Sequence, residues 1–384
     1  MPVPLDFPGV YVEEVPSGLP PIVAAPTATA LFVGWAAQGP TGQAVRLSGF
    51  AAFERVFGGL DARSLLGYAV RHFYDNGGDD AYVLRIAADQ GVVIGPGDAA
   101  FHAAAIAAVA GHIEPFNLLI VPGLSDAATL VVLHREAHAR RALLIADAGP
   151  DDTSADAIAT AAALAGTDPP NATLYFPWIR AADPLQPGVL RAFPPSGFVA
   201  GVIARTDRMR GVWKAPAGSD AALTGAVGMT VAVRDAENGR LNAGGVNCLR
   251  VLPNRGPVVW GARTVAGADT LGSEWKYVPV RRLALLIEES VIRGTAWAVF
   301  EANDAPLWAQ LRLRVGAFLQ GLFREGAFQG HTPDQAYFVK CDAATMTRAD
   351  LDSGYVHILI GFAPVKPAEF VVLNIRLRTG GTDT

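Results

Sequence analysis

Apolar and polar positions along this chain fall into blocks whose period changes from one segment to the next. Residues 30–35 and 81–86 are short apolar runs bounded by turn residues, the pattern of strands buried on both faces. Residues 50–57 and 64–74 between them read as helices, the second closed by Asn76-Gly77-Gly78, a helix stop. Three further runs, 117–122, 142–147 and 172–177, read as strands separated by helix-compatible stretches at 127–140 and 155–165. A glycine-rich stretch at 91–97 sets this middle block off, and it reads as its own α/β unit with a mostly parallel sheet. Beyond Pro194 come short strands and turns, two long helices at 280–301 and 305–324, and strands at 337–341 and 355–362.

The two ends stand apart from these blocks. Near the start, Val10, Tyr11, Val12, Glu13 and Val15 lie between Pro8 and Pro16, followed by a linker rich in Pro, Ala and Thr over residues 18–29. Near the end, Phe370, Val372, Leu373, Ile375 and Leu377 follow Pro364 and Pro367, and apolar and polar residues alternate strictly from Leu373 to Arg378. Both read as strands on proline-punctuated arms. A terminal strand with no partner in its own domain invites pairing with another chain.

The helix at 305–324 has a cap in Asn303 or Asp304 and a tolerated Pro306 in its first turn. Leu307, Leu311, Val315, Phe318, Leu319 and Leu322 form one apolar stripe. Its far side carries Gln310, Arg314, Ala317, Gly321 and Arg324, a face compatible with an acidic surface as well as with plain solvent.

Composition narrows the classes. At 384 residues the chain is long enough for two or three domains, and 51% of it is hydrophobic. No run qualifies as a membrane span: the alanine-rich stretch 99–110 is too short and contains His102. The first residues show no basic stretch followed by an apolar core, so no secretory signal is expected. A net charge of −5 argues against general nucleic-acid binding. Cys248 and Cys341 are the only cysteines, which favours a reducing compartment.

Catalytic chemistry is not visible. No G-x-x-x-x-G-K-[ST] pattern cradles a phosphate, and Ser196 lacks a G-x-S-x-G context. Asp147, Asp151 and Asp152 follow a strand, where a polar loop and helix cap explain them better than a metal site. His134 and His138 lack the glutamate of H-E-x-x-H. The expectation is no catalytic residue, no cofactor and no metal.

Ordered motifs run through nearly the whole chain. They begin with Pro8-Gly9-Val10-Tyr11-Val12-Glu13-Glu14-Val15 and Phe32-Val33-Gly34-Trp35-Ala36, and continue with Gly211-Val212-Trp213-Lys214-Ala215-Pro216-Ala217-Gly218. Gly245-Val246-Asn247, Trp260-Gly261-Ala262-Arg263-Thr264 and Tyr277-Val278-Pro279-Val280-Arg281-Arg282-Leu283 follow. Val299-Phe300-Glu301-Ala302-Asn303 and Pro367-Ala368-Glu369-Phe370-Val371 complete the set, with Ala302 standing where the pattern more often has proline. In this order they resemble the contractile tail sheath family of myophages and phage-tail-like contractile injection systems.

The resemblance implies a mixed α/β (α+β) fold. A conserved inner domain comes from residues 30–90 and 195–362, and an inserted outer domain from 91–194. Arms at 1–29 and 363–384 cross to neighbouring subunits. It further implies a helical homo-polymer of hexameric rings around an inner tube protein, with baseplate and tail terminator or cap proteins as partners. Nucleic acid and direct membrane insertion are not expected. The particle is assembled in the bacterial cytoplasm and is part of a phage tail or a released tail-like particle. Gln310, Arg314 and Arg324 are the candidate tube-facing residues, and 16–26 and 363–367 the candidate hinges. A non-contractile tube or baseplate subunit, or a soluble α/β enzyme built on the strand-end acids, are the alternatives.

Overall fold

The computed structural model describes residues 21–86, 99–166 and 170–369; the arm strands expected at 10–15 and 370–377 lie outside the described residues. In chain order the strands are β1 (Ala30–Gly34), β2 (Ala44–Leu47), β3 (Ala81–Arg85), β4 (Leu118–Ile120), β5 (Leu143–Asp147) and β6 (Ala172–Phe176). Then come β7 (Ile179–Ala182), β8 (Leu190–Phe193), β9 (Ala226–Met229), β10 (Val246–Leu252), β11 (Gly256–Val259), β12 (Tyr337–Lys340) and β13 (Leu359–Phe362). The helices before the first long turn region are α1 (Phe50–Phe57), α2 (Leu66–Asp75), α3 (Ala99–Ala110), α4 (Ala127–Ala139) and α5 (Ser154–Leu164). They are followed by α6 (Ser196–Arg210), α7 (Asp235–Ala243), α8 (Val278–Thr295), α9 (Ala305–Arg324), α10 (Pro333–Ala336) and α11 (Arg348–Asp352).

Eight strands form one sheet in the order β11-β10-β6-β5-β4-β1-β3-β2. The six inner strands run parallel, and β2 and β11 close the two edges antiparallel. Side chains alternate across it: Ala30 and Phe32 pack with α1, α2 and α6, while Leu31 and Val33 pack with α3, α4, α5 and α7. Both faces are covered, which is why these strands read as continuous apolar runs.

This arrangement corrects the separate sheet expected for residues 91–194. Ala30 of β1 faces Ala81 of β3 on one side and Leu118 of β4 on the other, so the middle strands continue the first block's sheet. The physical reason is edge satisfaction: a central strand buried on both faces must also pair both rows of backbone groups.

Helix α6 is the largest element absent from the sequence pattern. Its apolar, partly β-branched run reads poorly as a helix, but Gly197 and Gly201 let it lie against α2. A Cβ at Gly197 would sit 2.5 Å from the carbonyl oxygen of Ala69, and one at Gly201 2.4 Å from that of Phe73. Asn76 seals the end of α2 by accepting from the Thr224 amide (2.8 Å) and donating to the Thr224 carbonyl (3.2 Å).

A second layer holds α8, α9 and the β12–β13 pair around Leu283, Leu286, Val315, Leu319 and Phe328. The stripe predicted on α9 is buried at Leu307, Leu311, Val315, Leu319 and Leu322, each contributing about 1.5–3 kcal/mol by its removal from water. Asp304 is the cap, accepting from the Leu307 amide at 3.2 Å. Helix α8 ends earlier than its pattern suggests, at Thr295, in a short turn that leaves Phe300 fully exposed with φ of 73°. No helix of the described residues is long and apolar enough to cross a membrane.

Candidate functional site

Four of the ordered motifs meet at the roots of the two arms, through Asn247, Arg263, Tyr277 with Arg282, and Glu369. At the N-terminal root the chain from Pro21 to Thr29 is extended, with Ile22 and Ala25 buried in the second layer. Gly294 on α8 makes room, since a Cβ there would come within 2.6 Å of Ile22. The Ala25 amide donates to Ser290 Oγ (2.9 Å), and Thr27 Oγ1 to Asp207 Oδ2 (2.6 Å). Arg282 of α8 clasps Asp207 of α6 with both terminal nitrogens, at 2.7 and 2.5 Å, and donates to the Thr27 carbonyl at 2.9 Å. Both side chains of that pair are almost wholly buried. Paired, bidentate geometry is what makes such burial tolerable.

At the C-terminal root Arg263 is fully buried. Its Nε and Nη2 donate to the two carboxylate oxygens of Glu369, at 2.8 and 2.6 Å. Nη1 serves the carbonyls of Asn242 (2.7 Å) and Gly267 (3.0 Å) and the Asp269 carboxylate (2.9 Å). Tyr277, the residue that caps α8, adds its hydroxyl to Glu369 at 3.2 Å. Asn247 holds the Arg263 backbone from both sides, accepting from its amide and donating to its carbonyl, both at 2.7 Å. Burial pushes the Glu369 carboxyl up, but the hydrogen bonds and charge of Arg263 outweigh it and hold the group below its ordinary value. The Arg263 guanidinium is pulled down by burial and raised above its ordinary value by Glu369 and Asp269.

Between β13 and Glu369 the chain is pinned as well. The Gln329 amide donates to the Ala363 carbonyl (2.8 Å), the Val365 amide to Ala327 (3.3 Å), and the Ala363 amide to Ala336 (2.8 Å). Within the stretches expected as hinges, Ala363 and Val365 are hydrogen-bonded to the body, Ala25 is hydrogen-bonded to Ser290, and Ile22 is packed against α8. The β12–β13 pair itself is a two-stranded sheet among the described residues, with Phe338 and Leu359 exposed on it. Gly361 allows the Phe338 ring to lie across β13, because a Cβ there would come within 2.2 Å of that ring.

The candidate tube-facing residues share one face of α9. Gln310 and Arg324 are exposed, while Arg314 stacks its guanidinium over the Trp297 ring at 4.8 Å. Leu313, 74% exposed on the neighbouring face, was not singled out by the pattern.

The strand-end acids serve structure. Asp147 is buried and receives the amides of Gly123 (2.9 Å) and Ser196 (2.7 Å) and the Ser196 hydroxyl (2.7 Å), so it caps α6. Burial pushes its pKa up to about 6, against those hydrogen bonds. Asp152 accepts from the Gly149 amide at 2.6 Å. His134 has both ring nitrogens engaged, with the Leu164 carbonyl and the Asn171 amide, and burial lowers its pKa to about 4. Cys248 and Cys341 sit in different apolar clusters. Among the described residues no group of three or more His, Cys, Asp or Glu could hold a metal ion.

Two family models match the chain: the phage tail sheath protein central domain over residues 83–265, and the phage tail sheath C-terminal domain over residues 270–378. The contracted sheath of the PVC extracellular contractile injection system superposes with a TM-score of 0.77 at 29% identity, covering 98% of this chain and 99% of that one. The chain belongs to the contractile tail sheath family. Another sheath, the contracted helical sheath of the anti-feeding prophage, is similar at 28% identity and a TM-score of 0.77, over 96% of this chain and 98% of the other. The tail sheath protein of Enterobacteria phage T4 is 25% identical over 51% of this chain. A putative prophage major tail sheath protein of Pseudomonas aeruginosa is 26% identical over 66%. These matches span 28% and 62% of the relatives' own lengths.

Within this sheath fold the pattern did not mark Arg263 and Glu369 as partners. The signal was present: an arginine and an acid placed inside two of the ordered motifs, 106 residues apart.

Proposed function

We propose that this chain is the subunit of a contractile sheath, polymerising helically as hexameric rings around an inner tube and contracting to drive that tube through a target envelope. The likeness to the contracted PVC sheath, almost end to end at 29% identity, carries this reading. The role is mechanical and not enzymatic. Extended subunits are held from relaxing by a kinetic barrier, and re-docking of rigid bodies propagates along the lattice once the first ring is released.

In this reading residues 10–15 and 370–377 supply strands to neighbouring copies, and the β12–β13 pair, a minimal sheet with free outer edges among the described residues, receives them. Gln310, Arg314 and Arg324 turn toward an acidic tube surface, and the face bearing α3 and α4 turns outward. Baseplate and terminator proteins bound the polymer, which assembles in the bacterial cytoplasm as part of a phage tail or tail-like particle.

Electron microscopy of the purified full chain tests the proposal. Wide hollow tubes are the expected result; a discrete monomer or dimer at high concentration overturns it. Deleting residues 370–384 is expected to leave a folded subunit that forms no contractile tubes.

A further inference from the structure

Two exposed patches on this chain are opposite in charge and cannot meet within one molecule. The first is the last turn of α6. Met209 is 69% exposed there, flanked by the exposed Arg208 and Arg210, with Lys214 on the following loop. The carboxylates nearest these arginines leave much of the charge uncompensated: Arg208 reaches Asp79 and Arg210 reaches Asp220 only at 3.6 Å, all four side chains being more than half exposed. Cations at a helix C-terminus are also favoured by its unpaired carbonyls.

The second patch is a groove of about 690 Å³ between α5 and α7. Its floor is apolar, with Ile158, Phe176 and the exposed Val231, and its rim carries Asp151, Asp152 and Glu237 against the single cation Arg240. Glu237 is held in place by the Ser154 hydroxyl.

Their placement is diagonal. Helix α6 packs on one face of the main sheet, α5 and α7 on the other. The last turns of α6 meet the chain just before β1, at Thr27, whereas the groove follows the carboxyl ends of β5 and β6. An exposed methionine between two arginines and an apolar groove with an acidic rim, set at opposite corners, suit a head-to-tail contact between copies. Such contacts do not pair off; they generate rings or open helices.

We infer that the exposed Arg208-Met209-Arg210 end of α6 in one subunit docks on the Asp151–Glu237 groove of a second copy, forming a charge-matched contact of the polymer. The inference rests on the proposed polymerisation and adds to it a specific surface outside the arms.

A charge-swap experiment in the full chain tests it. The pair Arg208→Glu with Arg210→Glu and the pair Asp151→Lys with Glu237→Lys change exposed or half-buried side chains. Each double variant alone is expected to raise the concentration needed for tube formation about tenfold or more, because like charges face each other in the contact. An equimolar mixture of the two, or the quadruple variant, is expected to restore assembly. Circular dichroism checks that each variant is folded. The inference is overturned if either variant assembles like the unmodified chain, or if neither the mixture nor the quadruple variant recovers tubes. Should the unmodified chain form no tubes at all, it is the sheath reading that fails, and the two failures stay distinct.

Discussion

The two arm roots use the same chemistry in different ways. At the N-terminal root the ion pair lies entirely in the body, Arg282 of α8 on Asp207 of α6, and the arm rests on it through Thr27 and through the burial of Ile22. At the C-terminal root the arm itself brings one half of the pair, Glu369, to an arginine already fixed by Asn247. The first is a brace beneath a strap, the second a latch. A latch can release without disturbing the frame, whereas a brace cannot.

That contrast is open to direct attack. Asp207→Ala leaves Arg282 buried without its counter-charge and is expected to destabilise the whole subunit by about 3–5 kcal/mol, read from urea unfolding. Arg263→Ala is expected to cost less, about 2–3 kcal/mol by the same measurement, because the half-exposed Asp269 and the arm-borne Glu369 regain water while two carbonyls lose their donor. Glu369→Gln should move global stability by only about 1 kcal/mol or less, yet speed proteolytic cutting near residue 369 in the free subunit. If that variant unfolds the body as Asp207→Ala does, the distinction between brace and latch fails.

The smallest effect is one of pH, and its sign differs between two carboxylates. Glu369 is held below its ordinary value of 4.5, so its stabilising contribution is complete above that pH and is lost as the pH falls through the lower folded value. Protease sensitivity at the C-terminal root should therefore increase in acid. Asp147 runs the other way: its folded value of about 6 lies above the ordinary 3.8. Its contribution is complete below 3.8 and declines as the pH rises through about 6. Asp147→Asn is expected to flatten the stability profile across that window in urea titrations.

Much of the frame was legible in the residues. The buried runs of β1, β3, β5 and β6 announced themselves because both sheet faces are covered, and α1 and α9 appear with the bounds their periodicity gives. What escaped depends on distance in the chain. Whether β4 joins β1 is decided by edge pairing, which leaves no local mark. Helix α6 escaped because Gly197 and Gly201, unfavourable for a helix by themselves, are required by the backbone of α2. The site was less legible than the fold: Arg263 and Glu369, 106 positions apart, look like ordinary surface charges until the fold brings them together.

One helix carries a consequence for force. Tyr277 caps α8 and touches the C-terminal latch, Arg282 lies in its second turn, and Ser290 meets the other strap further along. Both straps are thus fastened to a single rod of 18 residues, roughly 27 Å long. Under the proposed linkage, tension entering from one neighbour leaves toward the next along that rod. Arg263, the latch's main partner, is itself held by Asn247 of β10, so the edge of the eight-stranded sheet shares the load with the rod, while the strands on the far side of the sheet stay away from it.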